Sequence, residues 1–464
     1  MKGITEGVKP MQLNVFRPFG YTFEVFDFTF VDLFSGIGGF RLALEELGGK
    51  CLGYSEINKD SIKVYEQNFV NPSQNDEIYL GDITKIDKLP FQVDIIVGGV
   101  PCQAWSVAGK LQGFEDPRGK LWFDVFRVIK LNAPKAFIWE NVKGLVDPIN
   151  RESFDFIIDR LQNLGYSVKA KLLNAYDFGL PQNRERVFIV GMRNDCPHHQ
   201  NFQFPKPLEL QPKLYQFISD VKISPDLAKH KIDSRILFGE KIPRSRNRFQ
   251  KDDELNDFFV FCDTRNGHTT IHSWDIIETT PREKMICDTI LKNRRKKKYG
   301  DKDGNPLSFE VLAELIPHLT QKELDKLIQK QIIRAVENKG YQFVNSKMSS
   351  GINGIYRVFL PHSDIIPTLT ATGTKDYIAK ISLEECKDPE EYKQRFITEI
   401  YHKKQFKPVT APDMANLQGF PHWFTIASQE DIAKKQLGNA VPVPVVYHVA
   451  KSLLTVIKVK PLPI

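Results

Sequence analysis

Two short stretches carry side chains that could make and break covalent bonds. Gly98-Gly99-Val100-Pro101-Cys102-Gln103 sets a cysteine in a Gly/Pro turn straight after an apolar run, and Trp139-Glu140-Asn141-Val142 sets a carboxyl at the end of another. A thiolate adds to electrophilic carbon where its surroundings expose it and favour the anion. Most free cysteines are instead small buried hydrophobes, and Cys51 and Cys287 read that way. A carboxyl partly desolvated at a strand end has reason to hold a proton and serve as an acid. Gln182-Asn183-Arg184-Glu185-Arg186 leads into a further strand. Alternation places Arg184 and Arg186 on one side, able to orient a polar ligand edge or the carboxylate; a surface salt-bridge pair reads the same way.

Apolar runs at 28–34, 51–55, 93–97, 136–139 and 187–191 alternate with amphipathic stretches at 39–47, 59–69, 121–131 and 154–164. That order implies an α/β fold, a mostly parallel sheet with helices on both faces. The first strand runs into a glycine-rich turn, Phe34-Ser35-Gly36-Ile37-Gly38-Gly39, where the backbone can approach a ligand at a helix N-terminus. Glu56 ends the second strand, where a carboxylate can accept from ribose hydroxyls, and Asp82 follows the third, where it can accept from an adenine amino group. Each acid alone reads as a loop cap. At successive strand ends they describe a nucleoside site, open to NAD or to S-adenosylmethionine. Cys102 and Glu140 fall on the same sheet edge.

The 464 residues exceed what one core usually covers, so a large domain and a smaller one are expected. Composition is that of a soluble globular protein, 41% hydrophobic and 26% charged. No apolar run approaches membrane-spanning length, and residues 1–20 lack the apolar segment of a signal peptide. The six cysteines form no C-x-x-C pair, which argues against disulfides and a zinc site; no metal is expected. The net charge of +7 is concentrated partly in two basic clusters, 241–248 and 292–298, suited to phosphates or to a solvated loop. Past residue 191 the alternation stops, and 202–207 looks like a linker. A helix is predicted over 321–338, with Thr320 as N-cap and Gly340 as stop. A closing helix is predicted over 441–457, packing on the first domain.

These motifs, in this order, strongly resemble the DNA (cytosine-5) methyltransferases, over roughly 28–207 and 353–458. The match extends to Arg118-Gly119-Lys120-Leu121, Pro367-Thr368-Leu369-Thr370 and Gln436-Leu437-Gly438-Asn439-Ala440-Val441. The resemblance implies a Rossmann-like S-adenosylmethionine-dependent fold with a smaller, mixed target-recognition domain. Its expected segments are an N-terminal extension (1–27), a catalytic and cofactor-binding domain (28–207), a recognition domain with inserts (208–405) and a returning C-terminal segment (406–464). Phe34 would stack on the adenine, with Ser35, Gly36, Gly38 and Gly39 in the turn, Glu56 and Ile57 at the ribose, and Asp82 and Ile83 at the base. Pro101, Leu121, Asn439, Ala440 and Val441 would complete the pocket. Cys102 would be the nucleophile, Glu140 the acid, and Arg184 and Arg186 would hold the cytosine. Gln103, Lys110 and Arg118, in a loop closing over DNA, and Thr368, in the segment scaffolding the recognition domain, would touch DNA. Within 264–274, Arg265, Asn266 or His272 would read base edges; a hairpin satisfying its own turn is the alternative.

The sequence departs from the family pattern at Val100, where Phe is common, and at Ile57, where an aromatic is common. Lys407-Pro408-Val409-Thr410 replaces a familiar Leu-Thr segment, after a charged insert at 382–405. The implied partner is duplex DNA, for a cytoplasmic, nucleoid-associated bacterial monomer paired functionally with a restriction endonuclease. A zinc deaminase would need H-x-E and P-C-x-x-C, which are missing. A dehydrogenase would leave Cys102 and Glu140 unexplained, and the Pro-Pro-aromatic turn of amino-group methyltransferases is lacking. Methylation of tRNA and a non-catalytic DNA-binding module stand as alternatives.

Overall fold

The structure is a computed structural model. It describes residues 26–70, 77–101, 105, 113–210, 212–222, 271–294, 296–301, 304–344, 357–361, 363, 365–371, 376–383 and 389–457. The chain divides into two compact units. The first runs to Pro212 and takes in the short return at 367–371 and everything from Thr410 onward; the second holds Lys213–Ile366 and the stretch ending at Val409. These boundaries lie a few residues beyond the expected 207/208 and 405/406, and the return at 367–371 was not foreseen.

The first unit is built on a seven-stranded sheet. In chain order its first elements are β1 (Phe28–Leu33), α1 (Gly39–Glu46), β2 (Gly49–Ser55), α2 (Lys59–Phe69), β3 (Ile78–Tyr79) and β4 (Ile95–Gly99). There follow α3 (Leu121–Asn132), β5 (Ala136–Val142), α4 (Arg151–Asn163), β6 (Tyr166–Asn174) and β7 (Glu185–Arg193). The strand order is β3-β2-β1-β4-β5-β7-β6. β3, β2, β1, β4 and β5 are parallel; β7 alone runs against them, and β6, antiparallel to β7, points the same way as the other five. β1, β4 and β5 are buried almost end to end, as expected of parallel strands covered on both faces. Val31, Ile96, Phe137 and Trp139 share one core with Trp122 and Val128 of α3 and Ile157 and Leu161 of α4. The chain winds outward from β1 to β3, then crosses back to β4 beside β1. That reversal opens a crevice at the strands' carboxyl ends.

Gly98 shows how tightly β1 and β4 approach: a Cβ there would overlap the Leu33 carbonyl and press on the Trp139 ring. The unpredicted strand is β6. It is the sheet's edge, and Lys169, Ala170 and Lys171 are exposed, so its apolar pattern is faint.

The second unit contains α5 (Pro281–Asn293), α6 (Phe309–Leu315), α7 (Gln321–Gln329), β8 (Ile333–Val336) and β9 (Gly340–Phe343) around one core. It also contains β10 (Arg357–Phe359), β11 (Asp376–Ala379), α8 (Pro389–Arg395) and β12 (Phe406–Pro408) around another. The charged insert at 382–405 is therefore integral: Phe396, Ile397 and Ile400, in a π-helical turn after α8, are buried in the core beside β10 and β11.

The helix predicted over 321–338 is corrected. Its start is as read, with Thr320 and Glu323 forming a capping box. α7 then stops at Gln329; Gln331 takes a left-handed φ of 55°, and β8 and β9 pair as a hairpin. Ile332, Ile333 and Val336 extend the helical spacing of Leu324 and Leu327, but β-branched residues suit a pleated strand. Gly340, at φ 100°, opens β9 directly after the hairpin turn rather than ending a helix. Arg294, read as part of a basic cluster, is buried over the Phe343 ring.

The C-terminal part of the first unit adds α9 (Ala411–Leu417), α10 (Glu430–Asn439) and α11 (Val443–Ile457), with α11 packed against α1. Among the described residues Glu430–Ile457 is long and apolar enough to cross a membrane, but it is two helices broken around Pro442, with 61% of its apolar window buried.

Gly98→Ala is expected to destabilise the first unit by roughly 1–3 kcal/mol through overpacking. The readout is a lowered thermal midpoint followed by Trp fluorescence; an unchanged midpoint would show that β1 and β4 can part at no cost.

Candidate active site

The crevice is built from the strand ends outward. Leu33 closes β1 and hands over to Phe34, Gly36 and Gly38 at left-handed φ values of 54°, 56° and 91°. A Cβ on Gly38 would enter the Phe69 ring. This turn is tied to the next strand: Glu56 Oε2 accepts from the Gly36 amide at 2.9 Å, and Oε1 accepts from the Ile57 and Asn58 amides at 2.8 Å each. A carboxylate offers about four lone-pair sites, so acceptor capacity remains for a hydroxyl. Asp82 caps its own loop through the Thr84 amide at 3.0 Å and also lines the crevice. The loop-cap reading and the ligand reading of Asp82 are thus compatible.

Two strands further on, the register sets Gly99 of β4 beside Glu140 of β5, and Val142 opposite Arg186 of β7. Glu140 is 7% exposed, and Arg186 Nε lies 2.9 Å from its Oε1. Burial pushes the Glu140 carboxyl above its ordinary range, against the pull of Arg186 and Arg184. Asn141 Nδ2 donates to the Val100 carbonyl at 3.1 Å and so holds the turn that carries Pro101. Cys102, Gln103 and Lys110 lie outside the described residues, as do Arg265 and Asn266. By contrast, burial pushes the Cys51 thiol up to about 12 and the Cys287 thiol higher still, as inert core cysteines.

Arg184 does something other than expected. It is buried, and its guanidinium donates to the carbonyls of Leu369 at 2.8 Å, Gly438 at 3.0 Å and Ala440 at 2.7 Å. The expectation that Arg184 and Arg186 both present to one ligand is revised: Arg186 meets Glu140 at the crevice, while Arg184 draws in the backbone of the crevice wall. Gln182 and Gln418 complete that tie. Gln182 donates to Leu417 O and accepts from the Leu369 amide, and Gln418 donates to Leu437 O.

The wall so held contributes Gly438, Asn439, Ala440 and Val441, with Ile432, Lys435 and Gln436 from α10. With Phe34, Ser35, Gly36, Gly39, Glu56, Ile57, Asp82, Ile83, Pro101, Leu121, Glu140 and Arg186 it encloses a cavity of about 480 Å³. That is the size of a small-molecule site. Ile432, Lys435 and Gln436 were not anticipated, although their spacing of one to two helical turns from Asn439 puts them on its face.

Three further expectations change. His272 is half-buried, stacked on Trp274 with ring centroids 4.3 Å apart, and desolvation there pushes its imidazole down to about 4. Its ring packs on Trp274 at the edge of a core of the second unit, which supports a packing role. Arg118 is gripped by Asp116 through Nε–Oδ1 at 2.9 Å and Nη2–Oδ2 at 2.6 Å, and its side chain is half exposed. The Thr368 hydroxyl is spent on the Asn183 carbonyl at 2.6 Å, which fits a scaffold segment better than a DNA contact.

A nucleoside-sized crevice at the switch point of a mostly parallel sheet, with a buried acid at its inner end, defines a nucleotide-cofactor enzyme of the α/β class. The family model described as C-5 cytosine-specific DNA methylase matches residues 28–455. The chain belongs to that family and is a DNA (cytosine-5) methyltransferase; the family uses S-adenosylmethionine. The Type II methyltransferase M.HgiBI of Herpetosiphon aurantiacus is 47% identical over 92% of this chain and 96% of its own length. M.BanI of Aneurinibacillus aneurinilyticus is 33% identical over 91% and 95%. The solved Entamoeba histolytica methyltransferase EhMeth shares the fold, with a TM-score of 0.50 and 15% identity over 92% of this chain and 98% of that one.

Because burial raises the Glu140 pKa, the folded chain takes up this proton more readily than the unfolded chain. Its stabilising contribution is present at acid pH and is lost as pH rises through the raised value. Glu140→Gln removes that titration while keeping an acceptor for Arg186. The variant's stability relative to the wild type, from denaturant midpoints, is expected to grow as pH rises from about 4 towards neutrality; a flat difference would show that the carboxyl is unperturbed.

Proposed function

We propose that the chain holds S-adenosylmethionine in the 480 Å³ cavity and methylates carbon 5 of a cytosine flipped out of duplex DNA, with Cys102 as nucleophile and Glu140 as acid. The observation that carries this reading is the placement of Glu140 beside Gly99 and Val100, in the turn that leads directly into Cys102.

The donor set fits the cofactor. Phe34, Ile57, Leu121 and Val441 offer apolar surface to an adenine, while Glu56 and Asp82 offer acceptors for ribose hydroxyls and an exocyclic amine. When bound, the cofactor supplies an electrophilic methyl group. The protein's residues make the cytosine able to receive it. Carbon 5 is a poor nucleophile while the ring is aromatic. Addition of the Cys102 thiolate at carbon 6 forms a C–S bond and gives carbon 5 enamine character. Glu140, kept able to carry a proton by burial, protonates ring nitrogen 3, so no full negative charge builds on the ring. Arg186 holds the Glu140 carboxyl in place through one oxygen. After methylation, loss of the carbon 5 proton restores the ring double bond and expels the thiolate. Arg184 takes the part of a positioning residue for the pocket wall.

A stacked base cannot be reached this way, so flipping is required, at a cost of a few kcal/mol offset by DNA contacts. We further propose that the second unit confers a short specific target sequence. The Type II relatives support a modification role, in which the methyl mark protects DNA from a cognate endonuclease, with the enzyme acting as a monomer.

Cys102→Ala is expected to lower methyl transfer to duplex DNA by about 10² or more while cofactor binding persists. Duplex containing 5-fluorocytosine should trap the wild type as a denaturation-resistant adduct, because no carbon 5 proton can be lost. Residual wild-type turnover in Cys102→Ala would overturn the mechanism. Glu56→Ala should weaken cofactor binding by roughly 1.5–3 kcal/mol, by calorimetry, through loss of charge-assisted hydrogen bonds.

A further inference from the structure

The second unit contains an element order that serves neither the crevice nor its wall. We infer that α5, Leu307, α6, α7 and the β8–β9 hairpin form a winged helix-turn-helix that binds duplex DNA through α7, with the hairpin as its wing. The inference rests on duplex DNA being the enzyme's substrate and assigns a particular element to holding it.

The topology comes first. After α5, Leu307 pairs antiparallel with Tyr341 of β9, the two exchanging backbone bonds of 2.9 and 2.7 Å. Then come α6, a turn, α7, β8 and β9. Helix, strand residue, helix, turn, helix and hairpin, with the first strand residue paired to the last strand, is the winged helix-turn-helix order. The turn at 316–320 reverses through His318, whose left-handed φ of 58° does what glycine commonly does there. Thr320 and Glu323 then cap α7.

The packing decides which face of α7 is free. Ile290 of α5, Leu312 of α6, Ile316 and Leu319 of the turn, and Leu324 and Leu327 of α7 share one core. Gln321, Lys322, Asp325, Lys326 and Gln329 consequently face outward. Lys322 and Lys326, one turn apart, are exposed and form no ion pair with any described residue. Asp325 accepts from Gln321, so the acidic member of this face is partly satisfied internally. That leaves two ammonium groups for phosphates and the Gln329 amide for a base edge, the side-chain types used by recognition helices. On the hairpin, Arg334, Asn338 and Lys339 are exposed, giving a second cationic contact for the backbone of the same duplex.

The test uses the full chain and a random-sequence duplex of about 30 base pairs, with fluorescence anisotropy at about 50–200 mM salt. The double variant Lys322→Ala/Lys326→Ala changes exposed positions and should keep the wild-type thermal midpoint. It is expected to bind roughly tenfold more weakly, with the slope of log affinity against log salt reduced by about 2. The control Lys403→Ala/Lys404→Ala removes the same charge from exposed residues of the same unit outside this module and should leave the slope unchanged. Wild-type affinity and slope in the α7 variant, or an equal loss in the control, would overturn the inference while leaving the methyltransferase reading intact. Wild-type protein that neither binds the duplex nor methylates bacterial genomic DNA would overturn that reading too.

Discussion

One wall of the crevice is held in place because a buried guanidinium needs partners. Arg184 enters the interior at the start of β7 and finds carbonyls 185, 254 and 256 residues further along the chain. Burying an unpaired charge is far costlier than burying one whose terminal amines are directed at good acceptors, as both are here. The folded state thus has a strong reason to keep Leu369, Gly438 and Ala440 at one point in space. Two of these residues bracket Asn439, so the constraint that satisfies Arg184 also closes the crevice opposite the glycine-rich turn. Lysine could not substitute: its point charge lacks the planar fork that spans three carbonyls.

The same tie explains how the chain accommodates an insertion of about two hundred residues between the halves of the first unit. Loop-closure entropy grows only slowly with length, so a long intervening segment adds little to the cost of bringing 438–441 back. What must be local and strong is the docking, and it is. Gln182, Arg184 and Gln418 saturate backbone groups of three returning segments, and a Cβ on Gly438 would collide with the Thr370 backbone.

Legibility of the sequence followed burial. β1, β4 and β5 were readable because strands covered on both faces become uninterrupted apolar runs, and the glycine-rich turn was readable because few residues tolerate its backbone. Edge strand β6 carries Lys169 and Lys171 to solvent and gave no such run. Arg184 was misplaced because its type suggests solvent or ligand, while carbonyls far along the chain take it inside. His272 is explained by Trp274 two residues away, an aromatic pair that spacing alone does not mark as stacked. The 321–338 stretch failed because Ile332, Ile333 and Val336 continue a helical stripe in spacing while folding as a strand, and only the left-handed Gln331 divides the two.

Glu140 shows how the fold sets chemistry without any unusual residue. An exposed glutamate would be ionised at neutral pH and a poor proton donor. A glutamate buried alone would be neutral but free to turn. Here burial favours the neutral acid, while Arg186 opposes that shift and fixes one carboxyl oxygen at 2.9 Å. The two effects pull the protonation equilibrium in opposite directions but the geometry in the same one. The proton-donor role proposed for Glu140 draws on both effects, burial for the proton and Arg186 for the position. Arg184 adds to the field from inside the wall, so the residue that closes the crevice also contributes to the balance at its inner end.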